Sequence, residues 1–265
     1  MPRFCANLTF LFNEVPFLER FDAAAQAGFR GVEFMSPYDF RAEDVAERAT
    51  AAGVDVILFN ATIGDFAAGE RGLAALPGRE HEFAAEMAKA LRYAQALRCK
   101  RLHVMAGLLP EDADATVRER HRRTYIANLR MAAADAQAQG IDLLIEPINL
   151  RDIPRYFLNH QAEGHAIREA VGAPNLKVQM DFYHCQIVEG DLTEKFRRWQ
   201  AHIGHLQVAN VPGRHEPDRG EIDYGHIFRM LDEQRYAGWV GCEYKPAGDT
   251  VAGLGWMYRL IDRNR

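Results

Sequence analysis

Four side chains with oxygen donors end four apolar runs: Glu146 in LLIE, Asp181 in KVQMD, Gln207 in HLQ and Glu243 in VGCE. Three carboxylates and one amide make a hard, oxygen-only donor set. Such a set suits a divalent metal, with Mg²⁺ expected first and Mn²⁺ second. A buried ion pair with Arg or Lys would account for any one of the four. A single cation accounts for all of them together.

If the four runs are strands 5 to 8 of a parallel barrel, Glu146 and Glu243 stand on opposite sides of that cation. A substrate chelated through two adjacent oxygens would lie between two carboxylates. That arrangement suits proton transfer between neighbouring carbons. The cation would polarise the carbonyl. One Glu would take a proton from the hydroxyl-bearing carbon, and one would return it to the former carbonyl carbon. His184, three residues after Asp181 in D-F-Y-H, is a candidate substrate contact. His103 is a weaker one, and His205 could point inward or merely pack. Arg214 could clamp a substrate carboxylate bidentately, and Lys245 could hold it as a point charge. Either cation could equally be a solvated surface group.

The elements that must position these residues follow a repeated grammar. An Ala-rich helical segment ends near a Gly and an apolar run follows, as in AAAQAGFRGVEFM, ERATAAGVDVILFN and AADAQAQGIDLLIEPI. Gly suits the left-handed stop of a helix, and a continuous apolar run suits a buried parallel strand. The reading predicts eight strands, near residues 3–9, 31–35, 54–60, 101–107, 142–148, 176–184, 203–210 and 238–244. Spread over 265 residues, this is about 33 residues per unit, close to a βα repeat. Apolar stripes at helical spacing run through Phe83, Met87, Ala90, Leu91, Ala94 and Leu97, through Leu192, Phe196 and Trp199, and through Val251, Leu254, Tyr258 and Ile261. No Pro/Gly/Ser linker divides the chain. The expected architecture is one α/β domain over 1–265, a single (β/α)₈ TIM barrel, with a doubly wound open sheet second. The strand ends are polar throughout: Asn7, Glu33, Asn60 and His103 join the four donors. The 14-residue loop from Asn210 to Asp223 is long for a barrel, which marks it as functional. The shape of the mouth is expected to depend on Phe66, Leu108 and Trp256.

Composition narrows the function classes. With 48% hydrophobic residues the chain can bury a large core; its net charge is −5 and its pI about 6.1, so it shows no basic excess for nucleic acid. Cys5, Cys99, Cys185 and Cys242 form no C-x-x-C pair, so free thiols in a reducing, cytoplasmic compartment are expected. No run approaches the ~18 apolar residues of a membrane helix. Phosphate-loop, dinucleotide, nucleophile-elbow and H-E-x-x-H motifs are absent.

From FCANLTFLFNEVPFLERFDAAAQAGFRGVEFMSPY through LLIEPINLRDIPRYFL, QMDFYHCQIVEGDL, IGHLQVANVPGRHEPDRGEIDY and GWVGCEYKP, the chain resembles the hydroxypyruvate isomerase family of xylose isomerase-like TIM barrels. The resemblance runs almost end to end. It implies a metal-dependent isomerase that interconverts hydroxypyruvate and tartronate semialdehyde, with close relatives acting on 2-oxo-tetronate. By the same resemblance Glu146, Asp181, Gln207 and Glu243 match metal ligands, Glu146 and Glu243 the acid/base pair, and His184 a substrate-side histidine. Related ketose 3-epimerases usually carry His where this chain has Gln207. Abasic-site endonucleases of the fold use further histidines, which LFNAT and Gln207 do not supply. The expected partner is a small 2-oxo acid, with a homo-oligomer an open expectation.

Overall fold

The computed structural model describes residues 2–262, with side chains through Arg259. Eight parallel strands close into a barrel in sequence order, and β1 pairs with β8 to complete it. They are β1 Arg3–Asn7, β2 Gly31–Phe34, β3 Asp55–Ala61, β4 Arg101–Val104, β5 Asp142–Ile145, β6 Leu176–Asp181, β7 Ile203–Val208 and β8 Trp239–Cys242. The helices are α1 Arg20–Gln26, α2 Ala42–Ala52, α3 Glu80–Ala96, α4 Ala115–Gln137, α5 Gln161–Val171, α6 Phe182–Val188, α7 Leu192–Trp199, α8 Tyr224–Glu233, α9 Thr250–Gly253 and α10 Gly255–Asp262. This is the expected single TIM barrel, and the open sheet is set aside by the β1–β8 pairing. None of the helices is long and apolar enough to cross a membrane among the described residues.

The glycine punctuation has the anticipated cause. Gly53 (φ +67°) and Gly172 (φ +73°) end α2 and α5 in the left-handed conformation. The stripe on α3 is buried along its length, through Phe83, Met87, Ala90, Leu91 and Ala94, with Leu97 just beyond. The last stripe is not a stripe. The chain breaks at Leu254 between α9 and α10, which changes the helical phase; Leu254 is buried while Val251 and Tyr258 are 60% and 72% exposed. The side chain of Ile261 lies outside the described residues.

Seven of the eight expected strands overrun at their C-terminal ends; β3 alone ends one residue later than expected, at Ala61. β6 stops at Asp181, where its carboxylate caps α6 by accepting from the Tyr183 N–H at 2.7 Å. His184 therefore stands in the first turn of a helix, not on a strand. Trp256 is not at the mouth either. It lies on α10, is fully buried, donates its ring N–H to the Tyr244 hydroxyl at 3.1 Å and packs edge-on against Phe4 and tilted against Phe228 of α8.

Candidate active site

In a parallel barrel inward side chains form layers, and the topmost layer opens at the C-terminal ends of the strands. Register aligns Asp181 with Gln207, Gln179 with His205, Gln207 with Gly241, and Asn60 with His103. Glu146 and Glu243 follow the last residues of β5 and β8. A cavity of about 350 Å³ opens there, lined by Glu146, Glu243, Gln207, Gln179, His103, His184, Arg214 and Lys245 among others. Phe66 also lines it, but Leu108 and Trp256 do not.

Asp181 uses Oδ1 on its helix cap, and its buried Oδ2 has no hydrogen-bond partner. Glu146 Oε1 is likewise buried and unpartnered. Donor atoms of Glu146, Asp181 and His184 all lie within 4.8 Å of one another. Buried anions this close oppose one another. Burial first, then the charges of Glu243 and Asp181, hold Glu146 well above the usual carboxylate range. Burial pushes Glu243 up to about 8, with Arg214 pulling it down and Asp181 and Glu33 pushing it further up. Burial likewise lifts Asp181 to about 6, against the pull of Arg214 and of the Tyr183 and His184 backbone N–H groups. The cluster lacks positive charge.

Part of that charge comes from Arg214. Its Nη2 stands 2.7 Å from Glu243 Oε1, 3.5 Å from His184 Nε2 and 4.0 Å from Asp181 Oδ2, and its Nη1 is 3.5 Å from Asp152. The long loop aims it there. Asn210 ties that loop together, donating to the carbonyls of Pro217 and Ile222 and accepting from the N–H groups of Val211 and Ile222. Arg214 itself sits at φ +55°. Lys245 stands beside it, its N–H bonded to the Arg214 carbonyl at 2.7 Å and its side chain exposed.

The two cavity histidines are neutral but differ in tautomer. Asn149 Oδ1 accepts from the Asp152 N–H, so its Nδ2 faces His184 Nδ1 at 2.6 Å. His184 Nδ1 is thus an acceptor, and the ring's proton sits on Nε2, pointing into the site. Burial first, then the Arg214 charge, hold this ring well below the usual histidine range. With that tautomer His184 presents an N–H, not a lone pair, on its Nε2 side. His103 Nδ1 faces Asn60 Oδ1 at 3.2 Å, which leaves a bare Nε2, buried without a partner. Burial lowers its pKa to about 3.

A second network lies one layer deeper. Glu33 on β2 is buried and accepts from His205 at 2.6 Å, Gln207 Nε2 at 2.7 Å, Asn7 at 3.0 Å and the Cys5 thiol at 3.3 Å. Burial would raise its pKa, but the His205 charge and these donors outweigh it and hold Glu33 low. Since Gln207 donates to Glu33 and accepts from Gln179 Nε2 at 2.7 Å, its amide cannot flip without losing both bonds. Its oxygen keeps a second lone pair. Cys5, Glu33 and His205 are close enough to resemble a metal site. Glu33 already holds both of the others in direct hydrogen bonds.

Sequence reasoning assigned no role to Glu33, Gln179, Asn149 or Asp152. Gln179 was visible in the sequence as an inward position two before Asp181. Glu33 was visible only as a polar strand end, because its partner His205 is 172 positions away.

The profile of the xylose isomerase-like TIM barrel family matches residues 21–260. The chain belongs to this family. Within it, the chain falls in the hydroxypyruvate isomerase group of enzymes. It is 56% identical to a 2-oxo-tetronate isomerase of Cupriavidus necator, over 99% of this chain and 100% of that one. It is 47% identical to a hydroxypyruvate isomerase of Escherichia coli, over 97% and 98%. A crystal structure described as AP endonuclease, family 2, from Brucella melitensis superposes with a TM-score of 0.94 at 49% identity, covering 98% of this chain and 99% of that chain. The only histidines lining the cavity among the described residues are His103 and His184.

Proposed function

We propose that this enzyme isomerises a small 2-oxo acid hydroxylated on the next carbon, moving the carbonyl from C2 to C3 through an enediolate. The observation that carries the reading is the pair of Glu146, buried, and Glu243, mostly buried, around a cluster short of positive charge. Among acids of this class, 2-oxo-tetronate is favoured over hydroxypyruvate, because the 56% identical relative carries that name.

Glu146, Asp181, Gln207 and Glu243 would hold a divalent cation, Mg²⁺ before Mn²⁺. The unpartnered oxygens of Glu146 and Asp181 fit it, and Gln207 Oε1, which accepts from Gln179, has a second lone pair to offer. Bound there, the cation would polarise the two adjacent substrate oxygens and acidify the C3–H next to the carbonyl. One glutamate takes the C3 proton and one returns it to C2, while the hydroxyl proton on O3 passes to O2. His184 Nε2–H donates to the oxygen on which charge develops. Arg214 offsets the anionic cluster while the proton is held on a carboxylate. The reaction is internally balanced: C2 is reduced as C3 is oxidised, so no redox cofactor enters.

The experiment measures turnover of 2-oxo-tetronate and hydroxypyruvate side by side, after chelation and after resupply of Mg²⁺ or Mn²⁺. Metal-restored conversion of either acid is expected, and the ratio of kcat/KM names the substrate. Full metal occupancy with no conversion of either acid would overturn the assignment and direct attention to uncharged ketoses.

A further inference from the structure

A 2-oxo acid needs a cation for its carboxylate, and three line the cavity: Arg71, Arg214 and Lys245. Arg214 is already committed to Glu243 at 2.7 Å and Asp152 at 3.5 Å. Lys245 is exposed, and a hydrated ammonium is a weak orienting group. Arg71 is different. It is half-buried, on the loop between β3 and α3, and no carboxylate lies within ion-pair distance of it among the described residues. Its Nη1 donates to the backbone carbonyls of Phe66 at 3.2 Å and Glu70 at 2.6 Å. Its Nε and Nη2 make no hydrogen bond among the described residues. Those two nitrogens form the side-on edge of the guanidinium, the fork that receives a carboxylate through two parallel bonds.

The loop holds that fork in place. The neighbouring Glu70 would neutralise Arg71 if it faced it, but it accepts instead from the Asp65 N–H at 2.6 Å and from Arg79 Nη1 at 2.6 Å. The guanidinium lies 3.8 Å over the Phe66 ring. Gly72, at φ +109°, docks against the chain just after β4, bridging to Ala106; a Cβ there would stand 2.3 Å from the Met105 carbonyl oxygen. The side chain is thus ordered before any ligand arrives, which lowers the entropic cost of binding.

We infer that Arg71 is the carboxylate anchor of the substrate, and that it makes this site selective for oxo acids over uncharged ketoses. The inference rests on the functional reading above. In Arg71→Met, KM for the acid substrate should rise about 10- to 100-fold, the loss expected for charged hydrogen bonds, with kcat changed far less and Mn²⁺ affinity unchanged. Arg71→Lys should recover only part, since it restores charge without the fork. A binding measurement separates this inference from the catalytic one. Mn²⁺-loaded protein is titrated calorimetrically with erythronate and with its uncharged methyl ester. Wild type should prefer the acid, and Arg71→Met should lose that preference. Turnover of a 2-oxo acid with KM and preference untouched by Arg71→Met, and lost instead in Lys245→Met, would overturn the anchor and leave the isomerase standing. No turnover, with an acid preference that Arg71→Met abolishes, would overturn the isomerase and leave the anchor.

Discussion

Metal binding at this site should displace protons, and the number follows from the carboxylate cluster. Glu243, lifted to about 8 by burial, is about nine-tenths protonated at pH 7 in the metal-free protein. Glu146 is also held well above the usual range by burial and by its anionic neighbours. A cation ligated by both must expel what they carry, about one to two protons at neutral pH. Each proton released steepens the apparent affinity by about tenfold per pH unit. Asp181, near 6, adds to the slope at the acidic end. Mn²⁺ affinity should therefore rise at least about tenfold between pH 6 and pH 7. The assay is calorimetric titration of chelator-treated protein at pH 6, 7 and 8, in buffers of small and large ionisation enthalpy. Their difference in apparent heat counts the protons. Glu243→Gln, which carries no titratable proton at that position, should release about one fewer. Affinity flat across this range, with heats independent of buffer, would mean the carboxylates are already ionised. The claim that the cluster lacks positive charge would then fail.

Other outcomes can be checked independently. Glu146→Gln and Glu243→Gln should each lower kcat about 10²- to 10⁴-fold, as expected for loss of a general acid or base, while circular dichroism and thermal melting show the fold intact. Gly241→Ala would place a Cβ 2.3 Å from the Glu33 carboxylate, which four hydrogen bonds hold in place. A cost of about 1–3 kcal/mol should appear as a Tm lower by several degrees, and an unchanged Tm would mean that Glu33 can move aside. His165 stacks on Trp199 at 4.7 Å with both ring nitrogens unpartnered, and burial lowers its pKa to about 3. Its folded pKa lies below the unfolded value, so its contribution is present above about pH 6.5 and lost as pH falls towards 3, by at most about 1.4 kcal/mol per unit. Urea midpoints at pH 7 and pH 4 should therefore differ less in His165→Phe than in wild type, and equal differences would refute the assignment.

Much of the barrel could be read from the sequence, because its signals are local. A Gly that ends a helix and the apolar run after it lie within a few residues of each other, and both reflect backbone and burial constraints of one βα unit. The strand-end donors were legible for the same reason, since a carboxylate closing an apolar run has few places to go. The strand ends were less so. In KVQMDFYH the apolar character continues past Asp181. What stops β6 is the Asp181 side chain capping α6, a competition between strand and cap that residue hydropathy does not report. The same cap turns His184 inward and leaves Asp181 one free oxygen, so an error of three residues in the strand concealed how the site is built.

The residues that escaped the sequence reading share a physical trait: each has a meaning only once the barrel closes. Glu33 gains a role when β2, β7 and β8 are brought around one interior, where His205 and Gln207 reach it and the missing side chain of Gly241 leaves it room. Arg71 sits in GDFAAGERG, which reads as a polar turn. Its distinction is the acid it does not pair with, since Arg79 takes Glu70 away from it. Arg214 looks like the natural carboxylate clamp until Glu243 and Asp152 are found beside it. A cation's availability to a substrate is set by its unpaired hydrogen-bond donors, not by its charge. On that measure the anionic cluster claims Arg214, and the loop after β3 offers the ligand Arg71.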